Sequence, residues 1–530
     1  MAVPSEPGAL VLPISGAGSS IGGTDDISFA VNHRLVGYDD RGTPFPMLAA
    51  EIPTRDRGSW VVRPDGTMRT TFTLRGSVTW HDGTALTASD FVFSHAVISD
   101  QDFAFGRDVI DLVSKAEALD ARTVAYEWRA PYPFAAELAE RDFAPLPAHL
   151  LSDAYRGDKE RFQQLPFFRE GFVGTGPYQI EDWRAGVDLT LRAYDRFYAG
   201  RPRIDRVIVR FMSDPNTVMA SLLAGAIDGE IPRAFDLEQG MLVRRQWEAA
   251  GKRPTVILQP ESWRHMFVQW NEPLREPTNP ELNDVRVRRA LFHAIDRPGL
   301  AAALLEGETP VADTVLAPDD PRWAWVDDVV TRYAHDPRRA QELLAEIGWQ
   351  RGVDGGLVRE SGERVVLPLW TVAGQDTEKV IAIIAEDWKS MGARVDQYVI
   401  PRARSRDLEF RASFPGFYYA GISPEYFNTL RRMESKECPR LQTRWVGTNI
   451  GCYQNPSLDR LVADVRSALD TSDQRRLWRE IVRFQTEQLP ILPMFFNLSI
   501  TLFREGVSGV KGNAQPPIGA TWNIAEWDIR

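Results

Sequence analysis

The stretch "RVIVRFMSDPNTVMASLLAG", Arg206–Gly225, places a strand signal directly before a helix signal. Its first seven residues include three β-branched side chains and an aromatic one, a composition typical of a strand. Asp214 then stands at the expected helix N-cap, Pro215 occupies the first turn, and Gly225 is a typical stop. The stretch therefore predicts a strand followed by a helix, the repeating unit of α/β proteins.

Similar signals alternate along the rest of the chain. Helix starts with the same pattern recur at Asp336–Pro337 and Asn455–Pro456, and "NDVRVRRALFHAIDR" carries an apolar stripe through Val287, Leu291 and Ile295. Short strand-like runs lie between the helices: "TVILQ", "MFVQW", "VVLPLW" and "RVDQYVI". The alternation predicts α/β lobes, and because no low-complexity linker is visible, we expect strands to join them.

The composition narrows the class of protein. A chain of 530 residues allows roughly two to four domains of about 100–200 residues each. The net charge of −11 argues against nucleic-acid binding, which needs a basic face. The sequence contains no uninterrupted run of about 18 apolar residues, so it does not predict a membrane-spanning helix. The N-terminus shows no signal-peptide pattern, so the protein is either cytoplasmic or has lost such a segment.

The most tempting catalytic residues are His81 and Asp82 in "WHDGTALTASDF". Adjacent residues of a strand point to opposite faces, so these two do not form a dyad. Gly83 indicates a turn, and Thr87 with Asp90 three residues later resembles a capping box. The seven histidines show no HExxH pattern, and there is no G-x-S-x-G. We therefore predict no catalytic residue, no metal site and no cofactor.

The only two cysteines, Cys438 and Cys452, lie close together in loop-like sequence. A bridge between them closes a loop of about 15 residues and contributes roughly 3 kcal/mol in the chain-entropy model. The alternative is two unrelated buried thiols. We predict the disulfide, which implies an oxidising compartment.

Five segments, in order, resemble the family 5 extracellular solute-binding proteins of ABC importers, a group of peptide, nickel, opine and oligosaccharide binders. They extend from Thr71 to Asn497. The segments are "TFTLRGSVTWHDGTALTASDFVFS", the stretch from "VGTGPYQIEDW" to "SLLAGAIDG", "NDVRVRRALFHAIDR", "HDPRRAQELLAEIGW", and the stretch from "YQNPSLDRL" to "PILPMFFN".

This resemblance implies an α/β, two-lobed periplasmic-binding-protein fold with a hinge. Lobe I is expected to be discontinuous, residues 1–262 plus 496–530, with an extra inserted subdomain at about 45–170. Lobe II is expected at 263–495. Ligand is expected between the lobes, which close by hinge bending. The family implies a periplasmic or extracellular location, with or without a lipid anchor, and an ABC transporter permease as partner; we expect a monomer.

The aromatic segment Arg411–Asn428, "RASFPGFYYAGISPEYFN", is the most informative part of lobe II. Phe414 and Tyr418 fit core packing and ligand lining equally well. Tyr419, beside the small pair Ala420–Gly421, is the stronger candidate for the cleft. An aromatic platform without charge fits a sugar ring or an apolar organic ligand by stacking.

Ala420 marks a departure from the peptide binders of this family. Their corresponding segment reads roughly G-W-x-x-D-Y-x-x-P-x-x-F, and its Asp pairs with the free amine of the peptide. Aligned on Gly416, Pro424 and Phe427, that Asp position is Ala420 here. An unpaired buried ammonium costs about 3–5 kcal/mol, so the departure predicts weak binding of free-amine peptides unless Glu425 or another acid replaces it.

The same alignment supplies the other predicted ligand-binding residues. Arg406 or Arg411 is expected to meet a ligand carboxylate, and the gapped alignment leaves that choice open. Asp376 serves either as lining or as the cap of the helix expected to start there. The full predicted set is His33, Trp263, His265, Trp270, Trp370, Gln375, Arg411, Tyr419, Ala420 and Phe495.

The sequence thus predicts an extracytoplasmic solute-binding protein that captures a small organic solute and delivers it to a permease. An oligosaccharide or another uncharged-headed ligand is the main expectation. An oligopeptide or dipeptide is the alternative, and an enzyme on a similar two-lobed fold is the rival class.

Overall fold

The computed structural model describes residues 1–11, 23–103, 107–138, 143–275, 280–305, 307–309, 311–424, 427–513 and 519–530. Glu425 lies outside these residues. The chain divides into two compact units, Met1–Gln259 with Ser499–Arg530 (unit 1) and Pro260–Leu498 (unit 2). The sequence-based boundaries lie three residues away at each crossing, and the assignment of lobes stays a prediction.

The strands of unit 1 form one mixed sheet and several smaller ones. In the mixed sheet, β11, β1, β10, β9 and β8 are neighbours in that order, and β11 also pairs with the end of β18. A four-stranded antiparallel sheet in the order β4–β5–β7–β6 lies within the segment predicted as an inserted subdomain. The strands are β1 (Ala2–Val3), β2 (Val36–Tyr38), β3 (Pro44–Pro46), β4 (Trp60–Val62), β5 (Met68–Thr73), β6 (Val113–Asp120), β7 (Thr123–Trp128), β8 (Tyr178–Arg184), β9 (Asp188–Ala193), β10 (Arg206–Phe211) and β11 (Gly229–Glu230).

Two long strands, β12 (Thr255–Val268) and β18 (Ile491–Phe503), carry the chain from one unit to the other. The sequence indicated two separate strands, "TVILQ" and "MFVQW", where the structure has the single strand β12. Pro260 lies inside this strand although it cannot donate a ladder hydrogen bond. The expectation that strands rather than a flexible tether connect the two parts agrees with this connectivity.

Unit 2 is built on four neighbouring strands in the order β16–β15–β17–β12. β15 is parallel to both of its neighbours, and β17 is antiparallel to β12. The unit's remaining strands are β13 (Gln350–Arg351), β14 (Leu357–Val358), β15 (Val366–Val372), β16 (Arg394–Ile400) and β17 (Phe417–Ile422), while β19 (Val507–Ser508) and β20 (Asp528–Ile529) belong to unit 1. The mixture of parallel strands and helices confirms the α/β class.

Helices surround these sheets. Those of unit 1 are α1 (Thr24–Val31), α2 (Ala88–Ile98), α3 (Arg107–Ile110), α4 (Ala148–Gly157), α5 (Lys159–Gln163), α6 (Pro215–Leu223) and α7 (Leu237–Ala249). Those of unit 2 are α8 (Glu272–Arg275), α9 (Val285–His293), α10 (Arg297–Leu305), α11 (Trp323–Val326), α12 (Pro337–Ala345), α13 (Gln375–Ser390), α14 (Leu408–Ala412), α15 (Asn428–Arg431), α16 (Pro456–Ser467) and α17 (Thr471–Gln488).

The predicted helix caps are present in the structure. The side chain of Asp214 accepts a hydrogen bond from Asn216 N at the start of α6, and Asn455 caps α16 in the same way. Thr87 and Asp90 form a reciprocal capping box on α2. These side chains satisfy backbone N–H groups that have no partner within the helix.

The segment with His81 and Asp82 is structural, as predicted. Gly83 has φ 92°, in the left-handed region that favours glycine. The His81 ring contacts backbone atoms, with Nδ1 3.1 Å from Gly174 N and Nε2 3.0 Å from Gly176 O, whereas Asp82 contacts His149 at 2.6 Å. His81 and Asp82 therefore have separate partners and no joint catalytic geometry.

The disulfide between Cys438 and Cys452 is present, with a Cα–Cα distance of 4.6 Å. The bridge joins two loop residues within unit 2.

Among the described helices, none has the length and apolar character needed to cross a bilayer.

We expect the Cys438→Ser/Cys452→Ser double variant to lose up to about 3 kcal/mol of unfolding free energy, because the open loop gains entropy in the unfolded chain. Denaturant unfolding of both proteins without reductant measures this loss. Equal midpoints for the two proteins, or two freely alkylated thiols in the unreduced wild type, would contradict a stabilising bridge.

Candidate functional site

Four of the predicted lobe II site residues lie on the antiparallel pair β12 and β17, namely Trp263, His265, Tyr419 and Ala420. Trp263 lies opposite Ile422, His265 opposite Ala420, and Phe267 opposite Tyr418. Because successive side chains of a strand alternate between faces, these three pairs share one face of the sheet. Sequence reasoning named four members of these pairs without knowing that they are neighbours, namely Trp263, His265, Tyr418 and Ala420.

A row of aromatic rings crosses the four strands on this face. Phe267 of β12, Tyr418 of β17, Trp370 of β15 and Tyr398 of β16 are successive cross-strand neighbours. The ring centroids of Phe267 and Tyr418 are 6.4 Å apart, and those of Trp370 and Tyr398 are 4.7 Å apart. We call these four residues the aromatic row.

Trp263 and His265 extend the aromatic surface along β12. Their rings stack with centroids 4.3 Å apart, and both residues have 0% exposure. Burial, followed by the charge of Arg432, holds the pKa of His265 well below its usual range, so the ring is neutral. Trp263 Nε1 and His265 Nε2 are enclosed and have no hydrogen-bond partner among the described residues. A polar ligand atom can reach these two ring nitrogens only if the surrounding side chains move apart.

Trp370 and Trp270 are partly buried and pack against the unit 2 core. Trp370 lies 5.2 Å from Phe410 between ring centroids. Trp270 donates from Nε1 to Pro490 O at 3.0 Å, and the guanidinium of Arg288 lies 4.6 Å from its ring centroid. Trp270 therefore has its polar atom and one ring face occupied by the protein itself.

Tyr419 and Phe495 are almost completely buried, each at 2% exposure. Burial raises the pKa of the Tyr419 hydroxyl, and Thr371 Oγ1 donates to the Tyr419 carbonyl at 3.2 Å. Ala420 is partly exposed on the face of the aromatic row. Of the segment's three central residues, Ala420 is therefore more accessible than Tyr418 or Tyr419.

The helix start after β15 differs from the sequence prediction. Helix α13 begins at Gln375, and its N-cap is Gly374, which provides no side-chain hydrogen bond. Asp376 therefore lies inside the first turn and is not the cap. In the first turn its negative charge still interacts favourably with the positive end of the helix dipole. The position of the Gln375 side chain is outside the described part of the structure.

The two arginine candidates differ in environment. Arg406 is exposed, whereas Arg411 is partly buried, and its guanidinium carbon lies 6.0 Å from the centroid of Tyr418. Arg411 also donates from Nη1 to Ser405 O at 3.3 Å. This geometry favours Arg411 over Arg406 as the arginine that faces the aromatic row.

Sequence reasoning did not identify Arg432, which lies beside the aromatic row, or Arg264, which lies on the opposite face of β12. Arg432 lies 5.4 Å from the ring centroid of Phe267 and donates to Gly421 O at 3.2 Å and to Thr448 O at 3.0 Å. Arg264 is directly opposite Gly421 in the ladder. The position of Arg264 follows from the register with β17, and Arg432 comes from the end of the short helix α15, so no local pattern marked either of them.

His33, the predicted lobe I residue, is a buried histidine of unit 1. Its Nδ1 makes a 2.9 Å hydrogen bond with Tyr198 OH, and its backbone N donates to Thr175 Oγ1 at 3.2 Å. The His33 ring meets the Phe197 ring edge-on at 5.2 Å. Burial lowers the pKa of His33 to about 3, so the ring is neutral at physiological pH.

Unit 1 also contains buried acids that sequence reasoning did not identify. Glu230 has 0% exposure, and neither of its carboxylate oxygens has a hydrogen-bond partner among the described residues. Burial raises the pKa of Glu230 well above its usual range and raises that of Asp26 to about 6. Within the described residues, no cluster of three metal-ligating side chains is found.

Comparisons with known proteins define the class. The fold is that of the two-lobed solute-binding proteins, because solved structures of this kind align with the whole chain. One is an oligopeptide-binding protein from Thermus thermophilus complexed with a pentapeptide, with a TM-score of 0.73, 24% identity, and coverage of 100% of this chain and 96% of the other. Another is NikA from Brucella suis in complex with Fe(III)-EDTA, with a TM-score of 0.77, 19% identity and 100% coverage of both chains.

The chain belongs to the bacterial extracellular solute-binding proteins, family 5, whose model matches residues 53–434. The oligopeptide-binding protein AppA of Bacillus subtilis is 24% identical over 525 residues, 96% of this chain and 89% of AppA. The dipeptide-binding protein of Escherichia coli is 24% identical over 487 residues, 87% of this chain and 83% of the other. Members of the family are substrate-binding proteins and not enzymes, as the sequence predicted.

Proposed function

We propose that this protein is the peptide receptor of an ABC importer. The observation that carries the proposal is the likeness to an oligopeptide-binding and a dipeptide-binding protein over at least 83% of the length of each. Within the family, the receptor binds its solute outside the cytoplasm and presents it to a permease. The predicted ligand-binding residues and the role of the permease remain part of the proposal.

The peptide alternative replaces the oligosaccharide as the main expectation. That expectation rested on aromatic side chains stacking against sugar rings. In the structure Trp263 and Tyr419 are buried and Trp270 contacts Arg288, which leaves Trp370 as the more open ring of this group. Curated relatives with peptide-binding names point the same way, and oligosaccharide binding finds no support among them.

Calorimetry with a peptide panel tests the proposal. We expect at least one peptide of two to nine residues to bind with a dissociation constant in the micromolar range or below, about −8 kcal/mol or better. Matched oligosaccharides serve as the comparison. Native mass spectrometry of the purified protein would show whether a peptide is carried through purification.

Two results would argue against the peptide assignment. The first is tight binding of an oligosaccharide together with no heat from any peptide. The second is turnover of a bound peptide, since a receptor releases its ligand unchanged. Trp370→Ala provides a control for the site, because loss of a partly exposed ring of the aromatic row is expected to weaken ligand binding more than folding.

A further inference from the structure

The disulfide between Cys438 and Cys452 closes a surface loop of unit 2. The Cα atoms at its two ends are 4.6 Å apart, and the chain between them contains one turn of 3-10 helix, Leu441–Thr443, followed by irregular backbone. Compact surface loops of this length with adjacent ends are frequently functional. We call residues 438–452 the disulfide loop.

The tip of the disulfide loop exposes large apolar side chains. Leu441 is 74% exposed and Val446 is 63% exposed, while Trp445 is partly exposed. Backbone hydrogen bonds from Trp445 N to Arg440 O at 2.8 Å and from Val446 N to Thr443 O at 3.0 Å fold the tip back on itself. The apolar residues are therefore grouped in one compact tip, and grouped apolar exposure marks interaction surfaces.

The backbone of the disulfide loop is strongly constrained. Arg444 and Trp445 have φ 53° and 62°, in the left-handed region that is costly for residues other than glycine. At the base of the loop, Asn449 Nδ2 donates to Glu434 O at 3.0 Å and to Tyr453 O at 2.8 Å. Costly backbone conformations are concentrated at functional sites. The tip is thus preorganised, which reduces the entropy lost when it binds a partner.

The charge of the disulfide loop is opposite to that of the whole protein. The loop contains Arg440 and Arg444 and no acidic residue, whereas the protein has a net charge of −11. Within the described part of the chain neither arginine forms an ion pair, and Arg440 donates from Nη2 to Gln454 Oε1 at 3.2 Å. The nearby acid Glu437 is already paired with Arg431 at 3.1 Å. Two exposed cations beside an apolar tip are complementary to an apolar pocket surrounded by carboxylates.

A folded protein partner fits these features better than a lipid bilayer. An anionic membrane also attracts arginine and apolar side chains, but it offers no fixed shape for a constrained backbone to match. Binding to a folded partner does benefit from such preorganisation. The proposed importer function supplies one protein partner outside the cytoplasm, namely the permease.

We propose that the disulfide loop docks on the permease, and that Leu441, Trp445 and Val446 enter an apolar pocket ringed by acidic side chains. This inference rests on the proposed function as the receptor of an ABC importer, and it adds the surface through which receptor and permease meet. Arg440 and Arg444 pair with carboxylates at the rim of that pocket, which speeds association and makes it depend on salt.

Binding of the full-length protein to its cognate permease complex in lipid nanodiscs tests the inference. We expect Leu441→Ser/Val446→Ser to weaken this binding at least about tenfold, because two apolar side chains no longer lose water on docking. Both side chains are exposed, so the variant keeps the packing of unit 2. The matched control is Val353→Ser, in the exposed turn between β13 and β14 of the same unit, which keeps wild-type affinity. Equal affinities of the double variant and the wild type would refute docking through this loop.

A second variant tests the charge of the partner surface. Arg440→Gln/Arg444→Gln is expected to lower the affinity for the permease nanodiscs about threefold to tenfold at low salt, and to remove most of the salt dependence of the wild type. Arg475→Gln, an exposed arginine of α17, is the matched control and keeps that dependence. A salt dependence unchanged by the loss of Arg440 and Arg444 would overturn the acidic pocket.

Empty nanodiscs of the same anionic lipid separate the membrane from the permease. If the wild type binds them and Leu441→Ser/Val446→Ser does not, the loop is a membrane contact and the inference is wrong. Calorimetry with peptides runs beside these measurements. Loss of docking on the permease by the wild type, with peptide binding present, refutes only the inference. The expected nanodisc results without binding of any peptide refute only the peptide assignment.

Discussion

Trp263→Ala is expected to lower the free energy of unfolding of unit 2 by about 3–5 kcal/mol, the usual cost of truncating a fully buried large side chain. Trp263 has 0% exposure and belongs to the same core cluster as Phe267, Tyr418 and Trp478. Denaturant unfolding monitored by circular dichroism gives the loss directly. A loss of this size would show that Trp263 mainly packs the core of unit 2, whether or not it also contacts ligand.

Two further variants sharpen this result. Trp263→Phe is expected to cost much less, because it keeps most of the ring and removes an enclosed N–H without a partner among the described residues. Trp370→Ala is expected to cost less than Trp263→Ala, since Trp370 is only partly buried. A Trp263→Ala protein with wild-type stability and weaker ligand binding would contradict the packing role and support a ligand anchor.

Two buried histidines of unit 1 are expected to make a destabilising contribution on acidification from pH 6.5 to pH 4. Burial lowers the pKa of His33 from 6.5 to about 3 and that of His81 to about 4. Below pH 6.5 the unfolded chain takes up protons that the folded chain does not, so stability is lost as the pH falls. At pH 4 each histidine accounts for a loss of about 3 kcal/mol.

Asp26 acts in the opposite direction. Burial raises its pKa from 3.8 to about 6, so its ionisation penalises the folded state at high pH, and that penalty is relieved as the pH falls. The relief between pH 6 and pH 4 is about 2 kcal/mol, smaller than the combined loss from the two histidines. Glu230, whose pKa burial also raises, acts in the same direction as Asp26, so a histidine variant is needed to separate the histidine contribution from that of the acids.

His33→Asn is the variant that tests this pH dependence. Its amide oxygen takes the place of Nδ1 beside Tyr198 OH and does not titrate in this range. We expect stability to depend less on pH between 6.5 and 4, by about 3 kcal/mol. The exposed His335→Asn serves as the matched control. If the two variants show the same pH profile as the wild type, His33 does not control acid stability.

Local patterns predicted those parts of the fold that depend on neighbouring residues. The caps at Asp214 and Asn455 and the capping box of Thr87 and Asp90 could be read because their partners lie within three residues. The continuity of β12 through Pro260 could not be predicted locally, because it depends on pairing with strands that are distant in sequence. Propensity is a weak guide where tertiary pairing decides.

The site was only partly predictable for the same reason. Trp263, His265, Trp370 and Tyr419 were predicted as ligand-binding residues from their chemistry and from the family resemblance, yet their burial depends on packing that a single sequence does not show. Arg432 was missed because helix α15 brings it back over β12 from 165 residues away (432 − 267). A single charged residue at the end of a short helix carries no periodic signal.

The discontinuity of unit 1 has a consequence for the order of folding during synthesis. Residues 260–498 form a continuous unit that can complete its contacts without the last 32 residues (499–530). Unit 1 cannot complete its sheet before residues 499–530 are present, because Leu502 and Phe503 pair with Glu230 and Gly229 across more than 270 residues. A nascent or truncated chain that ends near residue 498 would therefore hold a finished unit 2 beside an incomplete unit 1, with the edge of β11 exposed to aggregation or proteolysis.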